Sequence, residues 1–418
     1  MLEKLLYSLV FLLSFSSAFN LARWIPLWML PCILIFTLAI ISLLSGKYKF
    51  PKKAYVNEDY LLILLIIGVI LSTTLNHHPR SNNYILAYTF IFGVLYLFFK
   101  GLFCKYCRYK TLLKINTLAV IFVTVFCLID FLTYNFLGID VQSWIPNTNE
   151  RIATYAVATL RVRRSYGFSS EPTILALYFN TMGSLAIYSL WNTFQIREFL
   201  KWGFTAIFIL AYLTTFSAAG FAGLIVAVPT CLLLIELQKP NLSRGRLRKS
   251  ILVILLAIIV SFVYNLDGIF DYFEGILGKV SLMEFGETTR TSNWMRDLSK
   301  IVESPIFGHG MGYLSSNNMV SSINWYIFLT LEGGLISSLP IISFIVLTFA
   351  RIYSSSIPGK FFYMFGLLSG AIHYIAISTF FHPAYWILLI FYFVHRQAYG
   401  KVPIDVQTEK SESQFLIL

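Results

Sequence analysis

Two arginine-bearing segments define the chemistry this chain could perform. The first reads Arg161-Val162-Arg163-Arg164-Ser165-Tyr166-Gly167-Phe168-Ser169-Ser170-Glu171-Pro172 and runs straight into an apolar stretch. Proline is favoured in the first helical turn and Ser170 or Glu171 suits the cap, so a helix opens here with its positive dipole end beside the arginines. Guanidinium forks at a helix N-terminus make a phosphate site, and Gly167 lets main chain approach a ligand closely. The same residues also suit lipid head groups, with Glu171 paired to an arginine. The second segment passes Glu287 and Arg290 and becomes an amphipathic helix from Ser292. There Trp294, Met295, Leu298, Ile301 and Val302 recur at helical spacing, with Arg296, Asp297, Lys300 and Glu303 mostly on other faces. Such a helix lies on a membrane or on the protein. Pro305 ends it, and Gly308-His309-Gly310-Met311-Gly312 follows. No strand precedes these glycines, so a dinucleotide site is excluded. His309 is either a proton acceptor or a structural histidine.

Asn324-Trp325-Tyr326 opens the next apolar run, which carries Glu332-Gly333-Gly334 and Pro340. A glutamate inside a membrane span is costly, so Glu332 marks function unless it sits at the interface or pairs with an arginine. His77, His78, His373 and His382 form no ligand set with acids or cysteines, and no metal or other cofactor is expected. Cys32, Cys127 and Cys231 read as buried apolar groups. Cys104 and Cys107 lack the second pair or the thioredoxin-like setting that a zinc or redox site needs.

The elements that position these groups are membrane helices. The chain is 57% hydrophobic and only 12% charged, about half the charge of a soluble domain, and its mean hydropathy is +0.72. With ~20 apolar residues per crossing, about twelve spans are expected. They fall at 5–21, 24–45, 60–76, 83–99, 115–137, 172–192, 202–216, 220–237, 250–266, 322–350, 360–380 and 384–396. Ser217-Ala218-Ala219-Gly220 would make the tight turn within 202–237. The N-terminus resembles a signal peptide, and an uncleaved first span is the simpler expectation. The net charge of +12 lies in short clusters between apolar runs, which is a topology signal and excludes nucleic-acid binding. Lys4, the lysines at 47–53, the basic run from Lys100 to Lys114, Arg197, Lys201, the run from Lys239 to Lys249, Arg351, Lys360, Arg396, Lys401 and Lys410 place both termini in the cytoplasm. The remaining positives are isolated Arg23 and Arg80, then Arg151, Arg161, Arg163 and Arg164 in one outer loop and Lys279, Arg290, Arg296 and Lys300 in another. Positive charge on the translocated side opposes that rule and points to an anionic ligand. The expected divisions are helices over 1–137, a periplasmic loop over 138–171, helices over 172–266, a second periplasmic loop over 267–321, helices over 322–396, and a cytoplasmic tail over 397–418.

Arg290-x-x-x-Trp294, Pro305-x-x-Gly308-x-Gly310-x-Gly312, Asn324-x-Tyr326 and Glu332-Gly-Gly-Leu-Ile, in this order, resemble the shared block of bacterial O-antigen polymerases (Wzy) and O-antigen ligases (WaaL). Arg164-x-x-Gly167 with Glu171-Pro172 resembles the preceding block, and Leu213-Thr-Thr-Phe-Ser217 the family's small-residue turn. The resemblance covers roughly residues 160 to 340. It implies an all-α GT-C-type glycosyltransferase in the bacterial inner membrane. Such an enzyme works at the periplasmic face without a metal and moves a glycan from undecaprenyl pyrophosphate to an acceptor sugar. Arginines would hold the pyrophosphate, a task suited to fixed guanidinium groups and a helix end.

Two departures matter. Ile323 stands where ligases usually carry histidine, and Ala218 where the family often carries arginine. Both favour polymerase over ligase and leave the base open among Glu171, Glu287, Glu332 and His309. The expected catalytic residues are Glu171, Arg164 and Arg290. Arg161, Arg163, Gly167, Arg296, Gly308, His309, Gly310, Asn324, Tyr326 and Glu332 are expected to bind substrate. Membrane lipids and a chain-length regulator are the expected partners. The alternatives are a ligase acting on lipid A–core and a lipid-linked glycan transporter. A transporter needs charges along its spans, where the sequence offers few beyond Asp130 and Glu332.

Overall fold

The computed structural model describes residues 1–15, 26–46, 51, 54–145, 155–157, 162–238, 289–319, 323–378, 380 and 382–399. The expected span at 250–266, the tail beyond 400, Arg151, Arg161, Lys279 and Glu287 lie outside them. Within them the chain is an all-α protein. Its helices are α1 (Leu2–Leu12), α2 (Met29–Leu44), α3 (Asp59–Leu75), α4 (Ser81–Tyr106), α5 (Tyr109–Leu137), α6 (Pro172–Asn192), α7 (Glu198–Leu213), α8 (Ala218–Leu237), α9 (Thr289–Glu303), α10 (Trp325–Tyr353), α11 (Lys360–His373) and α12 (Pro383–Tyr399). A two-stranded antiparallel ribbon, Tyr155–Val157 with Val162–Arg163, stands between α5 and α6.

Helices α4, α5, α6, α8 and α10 are long and apolar enough to cross a membrane, and α2 and α3 are shorter apolar helices. The stretch 202–237 divides in two at the residues expected to turn. Thr215 and Phe216 close the end of α7, and the Ser217 hydroxyl accepts from the Gly220 N–H to cap α8. At its centre the bundle is aromatic. Phe92, Trp325 and Phe380 stack, Trp386 meets Phe92 edge-on, and the Trp325 indole N–H donates to the Tyr88 hydroxyl at 3.2 Å.

Lys100 departs from its expected place in a cytoplasmic loop. Helix α4 passes through a π-helical stretch, Thr89–Phe98, and continues to Tyr106, so Lys100 lies within it at 0% exposure. Its ammonium bonds both Asp59 oxygens at 2.9 and 2.7 Å and sits 3.4 Å over the Phe393 ring. A hydropathy window stops at the first charge, whereas the fold neutralises that charge with a residue from another helix and buries both. Next to this pair, the Arg351 guanidinium forks onto Glu58 at 2.9 and 2.6 Å.

Removing one member of a buried pair strands the other charge, at a cost of about 3–5 kcal/mol, whereas replacing both with apolar groups is often neutral. Lys100→Met is therefore expected to lower the thermal unfolding midpoint of the detergent-solubilised protein strongly, and Lys100→Met with Asp59→Leu to restore most of it. A single variant as stable as the double would remove the pair from this role.

Candidate functional site

The expected site residues fall on two constructions at one end of the bundle. The first surrounds the start of α6. Asn135 exchanges hydrogen bonds with both main-chain groups of Arg163, and the Ser165 N–H donates to the Thr214 carbonyl at 3.0 Å. The segment is thereby pinned between α5 and the α7–α8 turn. Consecutive arginines on extended chain point oppositely, and here they part company. Arg163 turns inward to 3% exposure, bonds Asp130 at 2.7 Å and Asp140 at 2.8 Å, and covers the Tyr134 ring at 3.5 Å. Burial opposes its charge, but the Asp140 hydrogen bond and the Asp130 charge outweigh that and raise its pKa. Its charge is spent within the fold, so it holds the loop and does not fit the substrate contact expected of it. Arg164 is half-buried, with Nε donating to the Thr215 carbonyl at 2.9 Å. Gly167 adopts φ +51° and its carbonyl accepts from Gln142 Nε2. Glu171 is exposed at the cap position of α6 and makes no side-chain cap bond, with Pro172 in the first turn as expected.

The second construction is built on a break in α10. Gly334, at φ 69° and ψ 179°, interrupts the helix. That interruption unpairs the carbonyls of Leu331 and Glu332 and the N–H groups of Leu335 and Ile336, which an intact helix would join. The glycine loop satisfies all four. His309 N and Gly310 N donate to Leu331 O and Glu332 O at 2.9 Å each, and Leu335 N and Ile336 N donate to Pro305 O and Ile306 O at 2.9 and 3.1 Å. The Glu332 carboxylate then accepts from Gly312 N and Leu314 N at 2.9 and 3.0 Å. From the other side, Ser72 donates to the Glu332 carbonyl, Asn76 to the Gly308 carbonyl and Ser81 to the Met311 carbonyl, and His78 Nε2 meets the His309 carbonyl.

This geometry reassigns several expected ligands. Glu332 is fully buried and takes two main-chain donors where an arginine or a substrate was expected. Gly308 and Gly310 pack closely against protein. A Cβ on Gly310 would lie 1.9 Å from the Asn76 carbonyl oxygen, and one on Gly308 2.5 Å from Gly334 N. The His309 ring bonds the Lys300 carbonyl through Nε2, which requires the proton on that nitrogen, and stacks on Tyr313. Asn324 caps α10 by accepting from Tyr326 N and Ile327 N, and the Tyr326 hydroxyl donates to the Ala371 carbonyl. Each contributes to architecture.

The described part of α9 begins at Thr289, so the helix includes the turn before Ser292, with Arg290 in it. The Arg290 side chain lies outside the description. Arg296 is partly exposed and forks onto buried Asp297 at 2.8 and 2.6 Å, with Asn293 at 3.0 Å. Lys300 and Glu303 pair at 2.7 Å on the surface. Their hydrogen bond raises the lysine pKa and lowers that of the carboxyl.

The end of α11 joins the two constructions. Trp325 N donates to the Tyr374 and Ile377 carbonyls, while the His373 ring lies near Thr173 at the start of α6 and within electrostatic reach of His382. Both imidazoles are buried, and among the described residues the His382 ring meets no hydrogen-bond partner. Sequence spacing offered no signal for this pair, nor for the Thr215 carbonyl, Asn76 or His78. No protein-family model matches the chain, and no curated protein matches it in sequence.

Gly310→Ala and Gly334→Ala each press a Cβ within about 2 Å of a carbonyl oxygen, at 1.9 and 2.1 Å, and both residues have positive φ. Gly138 shares the φ of +69° with Gly334 but has nothing within 4 Å. The first two are expected to cost more than about 4 kcal/mol, or to abolish folding, and Gly138→Ala about 1–2 kcal/mol. Unfolding midpoints in detergent would check this ordering.

Proposed function

We propose that this chain is a membrane glycosyltransferase that lengthens a surface polysaccharide. It would join repeat units carried on undecaprenyl pyrophosphate at the periplasmic end of a bundle of about twelve spans. One observation carries the reading. Arg164 is anchored by the Thr215 carbonyl just ahead of α6, whose cap position holds exposed Glu171, and the N-termini of α6 and α8 pack together there. Gly220 near the start of α8 packs so closely on Ala176 of α6 that a Cβ would lie 2.7 Å from the Ala176 Cβ. The start of α10 bonds the end of α11, whose Gly370 leaves no room beside Tyr385 of α12. The N-terminus of α6 presents partial positive charge, and the local field in its first turn favours an anion.

That field suits a departing pyrophosphate. In the reaction an acceptor sugar hydroxyl attacks the anomeric carbon of the lipid-linked glycan. The new glycosidic C–O bond forms as the bond to phosphate breaks, and the electron pair leaves on the pyrophosphate. Arg164, together with Arg290 at the start of α9, stabilises the charge that develops there. Glu171, exposed and without a cap bond, is the group able to take the hydroxyl proton. Arg163, paired with two aspartates, keeps the loop in place.

The test is incubation of the purified protein in nanodiscs with an undecaprenyl-pyrophosphate-linked repeat unit, with products resolved by gel and mass. A ladder of longer glycans still on the lipid is expected. Glycan appearing only on added lipid A–core would make the chain a ligase, and unchanged native substrate would overturn transfer altogether. Arg164→Ala is expected to slow the ladder about 10²–10³-fold, and Glu171→Gln about 10²–10⁴-fold, with insertion and folding retained.

A further inference from the structure

Helix α9 presents three kinds of surface. Asp297 and Ile301 face the protein; the first is fully buried and the second packs on the core. Ser292, Ser299 and Glu303 form an exposed polar side. Between these faces Met295, Leu298 and Val302, spaced three and four apart, form one stripe at 65%, 47% and 78% exposure. Ile306 and Phe307, in the turn beyond, are exposed too. A helix divided into protein-facing, apolar and polar sides is shaped for a boundary where protein, hydrocarbon and water meet.

The height of α9 against the bundle is fixed. The main chain of Pro305 and Ile306 is bonded to Leu335 and Ile336, directly after the Gly334 break. Beyond the break α10 exposes Leu339, Ile342 and Val346, as far as Arg351 and its pair with Glu58. At ~1.5 Å per residue, Gly334 to Arg351 spans roughly 25 Å. Helix α3 packs alongside, covers about the same distance at that rise, and exposes Ile63, Ile67 and Leu71. A hydrocarbon core is ~30 Å thick. A bilayer fitted to this apolar belt therefore has one surface at the charged pair and the other at Gly334, where α9 is tethered.

We infer that α9 lies in the plane of that second surface, with Met295, Leu298 and Val302 dipped into the acyl boundary of the lipid. The partner is the bilayer itself, because the stripe continues through Ile306 and Phe307 into the apolar belt of α10. This placement stands without any activity. If the proposed function also holds, residue 290, at the start of α9, is kept at head-group depth. That depth suits the pyrophosphate of a lipid-borne donor, and a water-soluble donor is disfavoured.

Two measurements on the full-length protein in nanodiscs of phosphatidylethanolamine and phosphatidylglycerol test it. In the first, nitroxides are placed through Leu298→Cys, Val302→Cys, Ser299→Cys and Glu303→Cys in a background lacking the native cysteines. Labels at 298 and 302 are expected to collide several-fold more with oxygen than with a nickel chelate, and those at 299 and 303 the reverse. Nickel-dominated collisions at all four positions would place the helix in water. Exclusion of both reagents at 298 and 302 would mean that residues 239–288 or a second copy covers the stripe. Either result overturns the inference. In the second, the unsubstituted protein is photolabelled with an apolar diazirine dissolved in the lipid and digested. Label on Met295, Leu298 or Val302 is expected, and its absence there while α3 and α10 are labelled would overturn the inference. Neither readout depends on glycan transfer, so a failed polymer assay leaves both informative.

Discussion

One end of this protein depends on an exchange of main-chain hydrogen bonds at Gly334. A helix broken inside an apolar bundle leaves carbonyl and N–H groups with no water to turn to, and each unsatisfied group costs several kcal/mol. Here the loop from Pro305 to Gly310 supplies two acceptors and two donors to those four groups. Glu332 completes the exchange by binding the next two free N–H groups of the same loop through its carboxylate. The break and the loop are therefore one structure, since neither satisfies its polar groups without the other. The turn between α3 and α4 closes the remaining side through Ser72, Asn76, His78 and Ser81.

Two further buried charges serve the same end by different means. Asp130, inside α5, draws Arg163 inward and so fixes the segment that presents Arg164 and Glu171. Asp59 draws Lys100 inward and ties α3 to α4. In each case a carboxylate that would be prohibitively costly alone is paired with a cation from another element, and the pair sets the relation between the two. Half-buried Arg164 and exposed Glu171 then stand on a rigid base, which the proposed stabilisation of a leaving group requires.

Much of the frame was legible. The helix starting at Pro172, the turn at Ser217 and an amphipathic helix stopped by Pro305 follow from proline geometry, hydroxyl capping and apolar spacing. These are local effects that a short window contains. The site was less legible. Arg163 and Arg164 are adjacent and chemically identical in sequence, and only the position of Asp130, thirty-odd residues away, decides which one is buried. The glycines of the 308–312 run look like a ligand cradle. Their small size is instead used against Asn76 and Gly334, contacts that no local pattern announces.

By itself the sequence determined an all-α, apolar chain with clustered charge, several of its helix starts and stops, and two short segments rich in cations. Those properties come from composition and from spacing within a few residues. Only the tertiary structure decided which charges are spent on the fold. It buried Lys100, Arg163 and Glu332 and left Arg164 and Glu171 at the surface. The physical reason is that a charged group can be buried only where partners meet it, a counter-ion for Lys100 and Arg163 and main-chain N–H groups for Glu332, and those partners come from a different helix or loop.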